Sequence, residues 1–318
     1  MEMNKRQVYK CKTCQKETNA PLGTEREKKM LCKDCFGKRK DKRKNQLNGL
    51  TGSEWAKKSI SVKEYPDVRS EKQRIHGASF PKSLAKEHIE IYTKQGDVVL
   101  DPFLGVGTTV DACLELGRNS VGIELNQEFI TLAQEDLTEL DKLSAKIFHG
   151  DSRNLTKFVD EESIDFILTS PPYANLLQNI NGAFAHKWRE HSDLDPITNA
   201  RPYSKNESDI GNMSYNESLL SIRKVMEECF IVQKFETYAV WVVKDFRSLK
   251  ESVPYVNFHG DVIRAAEDVG YYLWDIRIYD QTKFRPLVVL GYPSRNYYMN
   301  IGHSYILVFK KTNKLPKR

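Results

Sequence analysis

The stretch Asp97-Val98-Val99-Leu100-Asp101-Pro102-Phe103-Leu104-Gly105-Val106-Gly107-Thr108-Thr109 decides how this 318-residue chain is read. Val98 to Leu100 is a short apolar run of the kind that a sheet buries. Gly105 and Gly107 supply a turn. Val110 to Leu116 then places apolar residues at helical spacing, and Gly117 caps the helix. A second apolar run, Ser120 to Ile123, ends on Glu124. Strand, glycine turn, helix and strand form the first half of a nucleotide-type unit, so the expected class is α/β on a parallel sheet.

The glycine pattern departs from the dinucleotide fingerprint, because the third glycine is missing and an acid stands at the strand end. Glu124 lies about twenty residues beyond the glycines, where a ribose-binding carboxylate belongs. Asp101 would repel a pyrophosphate and attract the ammonium of a methionine moiety. The ligand these features favour is S-adenosylmethionine (AdoMet), with Asp101 on its ammonium.

Downstream, the apolar run Ile164 to Leu168 passes into Thr169-Ser170-Pro171-Pro172-Tyr173, where a buried strand gives way to a loop. The two prolines fix φ and remove two backbone donors, which leaves the carbonyls of Ser170 and Pro171 free to face a ligand. A hydroxyl, a rigid carbonyl and an aromatic ring suit a planar base that carries an exocyclic amine. Taken alone, the same residues also describe an ordinary strand-ending turn.

With 40% apolar and 29% charged residues, the chain reads as soluble and globular, one large domain with an appendage. No apolar run approaches the roughly 18 residues of a membrane span, and Met1 to Lys12 has no signal-peptide core, so a cytoplasmic protein with no membrane partner is expected. The net charge of +6 is uneven: residues 1–50 hold 15 Lys and Arg against 6 Asp and Glu, and the rest hold 34 against 37. The basic segment contains Cys11-x2-Cys14 and Cys32-x2-Cys35 with 17 residues between the pairs, a spacing that fits a structural zinc site. So polar a segment buries too little to fold alone, and Zn2+ bound by four thiolates would supply the folding energy. A redox or disulfide pair is the alternative. After Gly37 come six cations in the seven positions 38–44, either a solvated tail or a track for nucleic-acid phosphates. Cys113 and Cys229 sit in helical apolar patterns and are expected in the core.

Together, Asp101-Pro102-Phe103 with Gly105-x-Gly107-Thr108-Thr109, and Ser170-Pro171-Pro172-Tyr173, resemble the AdoMet-dependent DNA methyltransferases that act on an exocyclic amine, cytosine N4 or adenine N6. The resemblance covers roughly residues 70–312. It implies a seven-stranded, mostly parallel Rossmann-like sheet, entered through Phe80-Pro81, which resembles the family's methionine-embracing segment. It implies that Phe103 packs on the adenine or ribose, and that Asp151, closing a third strand that begins at Lys146, bonds the adenine amine. A helix cap before Ser152 is the other reading of Asp151. The cofactor set is then Phe80, Pro81, Asp101, Pro102, Phe103, Gly105, Gly107, Thr108, Thr109, Glu124 and Asp151, and the catalytic set Ser170, Pro171, Pro172 and Tyr173. The serine form of the tetrapeptide is usually the cytosine form in this family. The activity expected is therefore N4-methylation of a cytosine flipped out of duplex DNA, with a cognate restriction endonuclease as an associated partner. The cofactor motif precedes the catalytic one, a permutation that leaves the target-recognition region unplaced. Adenine N6 methylation, an RNA (tRNA or rRNA) amino-methyltransferase and a degenerate DNA-binding subunit stand as alternatives.

The organisation expected is a zinc-binding basic module at 1–45, a linker at 46–75 and a methyltransferase domain at 76–318 with a loop insertion at 174–215. Strands are expected at 238–243, 271–279 and 304–310, the last two as an antiparallel edge. The insertion carries Lys187, Trp188, Arg189, His191, Arg201, Tyr203 and Lys205, and a second irregular stretch, 281–300, carries Lys283, Arg285, Tyr292, Arg295, Tyr297 and Tyr298. Both are expected to close over substrate. His88 is expected on a helix surface, and His303 is open between a structural and a functional role.

Overall fold

A computed structural model describes residues 6–40, 45–173, 206, 208–248, 253–285, 287 and 289–314, without the side chains of 37–40, 248 and 253. The side chains of the basic run 38–44 and the seven residues singled out in the insertion, Lys187 to Lys205, lie outside the described residues. The chain divides into two compact units, residues 1–46 and 47–318.

In the first unit, β1 (Arg6–Lys10) pairs antiparallel with β2 (Glu17–Pro21), followed by α1 (Glu25–Lys28) and α2 (Lys33–Lys40). The Thr24 hydroxyl caps α1 by accepting from the Glu27 N–H. Little apolar surface is hidden: Tyr9, Ala20 and Leu31 are buried with Cys11 and Cys32. The Tyr9 hydroxyl donates to the Leu31 carbonyl at 2.8 Å, which ties the hairpin to the second pair of cysteines.

Among the described residues, the helices of the second unit are α3 (Gly52–Lys58), α4 (Glu71–His76), α5 (Lys82–Tyr92), α6 (Thr108–Glu115), α7 (Gln127–Gln134), α8 (Asp141–Ser144), α9 (Tyr215–Val232) and α10 (Phe258–Val269). Its strands are β3 (Val62–Glu64), β4 (Val98–Asp101), β5 (Asn119–Glu124), β6 (Ala145–His149), β7 (Ile164–Thr169), β8 (Gln233–Val243), the hairpin β9 (Phe246–Ser248) and β10 (Val253–Val256), β11 (Tyr272–Asp280) and β12 (His303–Lys311). Among the described residues, eight of them form one sheet in the order β3-β11-β12-β8-β7-β4-β5-β6. The run from β6 to β8 is parallel throughout, and β12 lies antiparallel to both its neighbours, β8 and β11.

Alternate residues of each strand face opposite layers, as the pleat requires. Leu100, Ala239, Trp241, Val243, Leu307 and Phe309 pack with α9 and α10, while Val99, Val240, Val242, Ile306 and Val308 pack with α5 and α6. Cys113 and Cys229 are fully buried in these layers, as their helical patterns predict. No helix among the described residues is long and apolar enough to cross a membrane.

Two sequence expectations are corrected. The antiparallel strand is inside the sheet, not at its edge, because β11 returns to the parallel direction and pairs with β3. Residues 46–75, read as a linker, instead carry α3, β3 and α4. Their polar residues disguised a buried network. The Arg277 guanidinium donates to Glu87 Oε1 at 2.6 Å and to the Tyr65 hydroxyl at 3.1 Å, and Lys63 pairs with the same glutamate. His88 belongs to this network and is buried, not on a helix surface. Burial pushes its imidazole down to about 4.

Candidate active site

β4 is flanked by β5 on one side and β7 on the other, so the direction of chain progression reverses beside it and the carboxyl ends of the strands leave a crevice. A cleft of about 710 Å³, partly open to solvent, lies there. Pro102 and Phe103 line it from the β4 end, Ile123 to Asn126 from the β5 end, Gly150 to Ser152 from the β6 end, and Ser170, Pro171, Pro172 and Tyr173 from the β7 end. His76, Ala78, Phe129 and Ser208 to Ile210 complete the wall.

Glu124 is held from two sides, Oε2 accepting from the Gly105 N–H and Oε1 from the Asn126 N–H, each at 2.8 Å. Burial pushes its carboxyl above the usual range against these donors. Gly105 has φ +55°, and a Cβ there would lie 2.8 Å from His76 Nε2, so the turn needs glycine to approach so closely.

Asp101 behaves differently. It is 1% exposed and does not line the cleft. Its Oδ1 accepts from the Thr169 hydroxyl at 2.6 Å and the Phe103 N–H at 3.1 Å, and its Oδ2 from the Thr109 hydroxyl at 2.6 Å. Burial pushes the carboxyl up to about 6, with those three donors opposing. The expectation that Asp101 meets a ligand ammonium is corrected: donors from three elements turn its carboxylate inward as a brace between β4, α6 and β7.

Five other expected residues also build the floor and not the wall. Phe80 packs into the layer under α5 and α6, and its carbonyl and the Thr108 hydroxyl both accept from Gln73 Nε2, at 3.1 and 3.0 Å. Pro81 starts α5, Gly107 starts α6 at φ +86°, and Thr109 is committed to Asp101. The wall in this region comes from His76 and Ala78, which the sequence reading passed over. The His76 ring lies 4.7 Å from that of Phe129, and burial, aided by Arg69, pushes it down to about 4.

Asp151 caps the 3-10 turn Ser152–Lys157 and faces the cleft as well. The Arg153 guanidinium pairs with it at 2.6 Å. Burial would raise this carboxyl, but Arg153 and its backbone N–H outweigh that and hold it below the usual range. Arg153 also donates to the Ser208 carbonyl at 3.0 Å, which fixes the segment that returns from the insertion.

The Tyr173 ring sits 5.5 Å from Phe258 and 6.4 Å from Phe246. Burial pushes its hydroxyl up to about 12, with Ser170 and Arg285 acting against it. Beside it, the residues that follow β8 supply further groups. Lys244 Nζ donates to Gln281 Oε1 at 3.0 Å and to the Ile301 carbonyl at 2.9 Å, and burial, with Arg285 nearby, pushes it down to about 7. Asp245 is fully buried and accepts from the Tyr255 hydroxyl at 2.7 Å and from His259 Nδ1 at 2.8 Å. The His259 ring stacks on Tyr305 at 3.8 Å, and His303 meets the same tyrosine edge-on at 5.0 Å, a packing role.

In the first unit, the sulfurs of Cys11, Cys14, Cys32 and Cys35 all lie within 4.8 Å of one another. Cys14 and Cys32 are 3.7 Å apart, close to the roughly 3.8 Å edge of a tetrahedron with Zn–S bonds of about 2.3 Å. All four are free thiols.

Among known proteins, the DNA methylase family model matches residues 4–135. Over those residues the chain is similar to the DNA methylases. Similar curated members include the Type II methyltransferase M.MthZI of Methanothermobacter thermautotrophicus, 40% identical over 90 residues, which make up 28% of this chain and 25% of that protein. The Type II methyltransferase M.SmaI of Serratia marcescens is 48% identical over 77 residues, 24% of each chain. The chain thus spans about a quarter of the length of these curated relatives. Of solved structures, TrmN from Thermus thermophilus is 15% identical with a TM-score of 0.43, over 77% of this chain and 55% of that one.

Proposed function

We propose that this chain is an AdoMet-dependent DNA methyltransferase that acts on an exocyclic amine, cytosine N4 in preference to adenine N6. The observation that carries the reading is the meeting of Ser170 to Tyr173 with Glu124 in one cleft at the switch point of the sheet. Kinship with DNA methyltransferases supports the substrate class, and the serine at the head of the tetrapeptide supports cytosine. The Type II names of the relatives support a restriction–modification setting with a cognate endonuclease.

The cleft fits the cofactor. Glu124, fixed by two backbone N–H groups, suits ribose hydroxyls, and Phe103, Ile123, Leu125 and Phe129 suit an adenine between apolar walls, with Asp151 and Ser152 at its edge. When bound, AdoMet supplies an electrophilic methyl group on a sulfonium. The chain's own task is to make a weak nucleophile competent, because the lone pair of the base amine is delocalised into its ring. Ser170 Oγ and the Pro171 carbonyl accept the amine hydrogens and turn the lone pair out of the ring plane, while Pro172 keeps that carbonyl rigid. Tyr173, braced by Phe246 and Phe258, offers a face to a base that has left the stack. The four cysteines of the first unit hold a structural Zn2+ in this reading.

Incubation with labelled AdoMet and duplex DNA, single-stranded DNA or total RNA, followed by hydrolysis to nucleosides, tests it. N4-methylcytosine from duplex DNA is expected. N6-methyladenine would redirect the base assignment, and label confined to RNA would overturn the DNA reading.

A further inference from the structure

The segment between β11 and β12, residues 281–302, holds Lys283, Arg285 and Arg295 and no Asp or Glu, whereas residues 51–318 as a whole hold 34 Lys and Arg against 37 Asp and Glu. It also puts large side chains into solvent: Tyr292 is 83% exposed, Tyr297 86%, Leu287 83% and Met299 73%. So many exposed rings and apolar side chains on one segment suit a surface that something covers.

The segment is a built arm. Its base is closed by the Gln281 N–H donating to the Gly302 carbonyl at 2.8 Å and by Lys244, which holds Gln281 and Ile301. Arg247 donates to the Met299 carbonyl at 2.9 Å and lies 5.3 Å over the Tyr298 ring. At the tip, the Ser294 N–H donates to the Gly291 carbonyl at 2.7 Å and the Asn296 N–H to the Ser294 hydroxyl at 3.1 Å. Gly291 has φ +85°, and a Cβ there would fall 2.0 Å from the Asn296 carbonyl oxygen, so the tip closes only with glycine.

The arm also stands at the right edge. β11 runs in the direction of β7, and β12 enters antiparallel, so the arm leaves the sheet where the carboxyl ends form the cleft. Lys244, which anchors the arm, follows the strand next to the tetrapeptide, and the Arg285 guanidinium acts on both Lys244 and Tyr173.

We propose that residues 289–299 are a DNA-reading arm, whose Tyr292 and Tyr297 enter the duplex beside the target and occupy the stacking space that the extruded base leaves, while Arg295 meets the phosphates. The absence of carboxylates and the exposed rings match the two faces of a nucleic acid, its charged backbone and its stacked bases. The assignment rests on the DNA substrate proposed above and adds where on the chain the duplex is engaged.

The test uses the full chain and a pool of unmethylated genomic DNA fragments. Binding to the pool, incorporation of labelled methyl groups and AdoMet affinity are compared for wild type, Tyr292→Ala/Tyr297→Ala, Tyr292→Phe/Tyr297→Phe and Arg295→Gln. The alanine pair should weaken both binding and incorporation by about tenfold or more with AdoMet affinity unchanged, and the phenylalanine pair should keep both. Arg295→Gln should weaken binding severalfold and lower its salt dependence by about one phosphate contact. An alanine pair that binds and methylates DNA as wild type does overturns the arm. So does an alanine pair that only converts a dimer into a monomer, or one that loses affinity for total RNA and not for DNA. If wild type methylates no DNA, the catalytic proposal falls, and DNA binding by the alanine and phenylalanine pairs still decides the arm.

Discussion

The two units of this chain are held by different forces. Among the described residues, the second unit presses two apolar layers onto an eight-stranded sheet, whereas the first buries little more than Tyr9, Ala20 and Leu31 around four cysteines. A fully buried side chain of Leu or Phe size contributes about 1.5–3 kcal/mol. Ordering each residue costs about 1–2 kcal/mol, so a few such side chains cannot hold a segment of this length. The difference teaches that one part of the fold stands on its own core, whereas the other needs a further source of stability, which the Zn2+ proposed above would supply. Each expected effect below belongs to one unit, and an effect that crossed to the other would break the contrast.

The largest effect is metal removal. Chelation, or Cys11→Ser with Cys32→Ser, should abolish hydrogen-exchange protection in residues 6–36, weaken nucleic-acid binding and leave the thermal transition and AdoMet affinity of the second unit in place. Purified protein with no bound metal would remove the zinc assignment.

Next is a pH effect confined to the second unit. Burial raises the folded-state carboxyl of Asp101 to about 6, whereas an unfolded chain ionises near 4. As pH rises through this window the unfolded state loses its proton first, so this group's contribution to stability falls, by about 3 kcal/mol. Asp101→Asn has no such slope, and the wild-type advantage over it in chemical denaturation should shrink between pH 4 and pH 7. A difference that stays constant across that range would contradict the buried, protonation-prone state.

Within the cleft the effects are smaller. Tyr173→Ala should lower single-turnover methyl transfer by about 1–3 kcal/mol, with AdoMet affinity within a few-fold of wild type. Transfer at the wild-type rate would reduce the tetrapeptide to a turn. Glu124→Gln should weaken AdoMet binding by about tenfold, and calorimetry that shows no change would move the ribose elsewhere. Ser170→Ala should be mildest, near 1 kcal/mol in transfer, because the Pro171 carbonyl remains. A complete loss would show that the hydroxyl does more than orient the amine.

What was legible in the sequence was whatever is written in adjacent residues. Val98 to Gly117 contains a whole strand, turn and helix, the cysteine pairs contain their own spacing, and the tetrapeptide ends an apolar run. What was illegible depends on partners far along the chain. The role of Asp101 is decided by Thr169, and β3 is a strand only because β11 pairs with it; Val62-Lys63-Glu64 has no period of its own. His76 and Ala78 enter the wall through the last residue of α4 and the turn after it, and the Asp245 and His259 pair joins the end of β8 to the start of α10. Neither leaves a trace in local pattern.

The place of β12 has a consequence for how the sheet is completed. β3 and β11 are joined to β8 only through β12, the last strand in chain order among the described residues. Until residues 303–311 are seated, β8 and β11 each present an open row of backbone donors and acceptors, the form of surface that recruits foreign strands. Synthesis therefore passes from Asp280 to His303 with two raw edges exposed, and one late strand seals both at once.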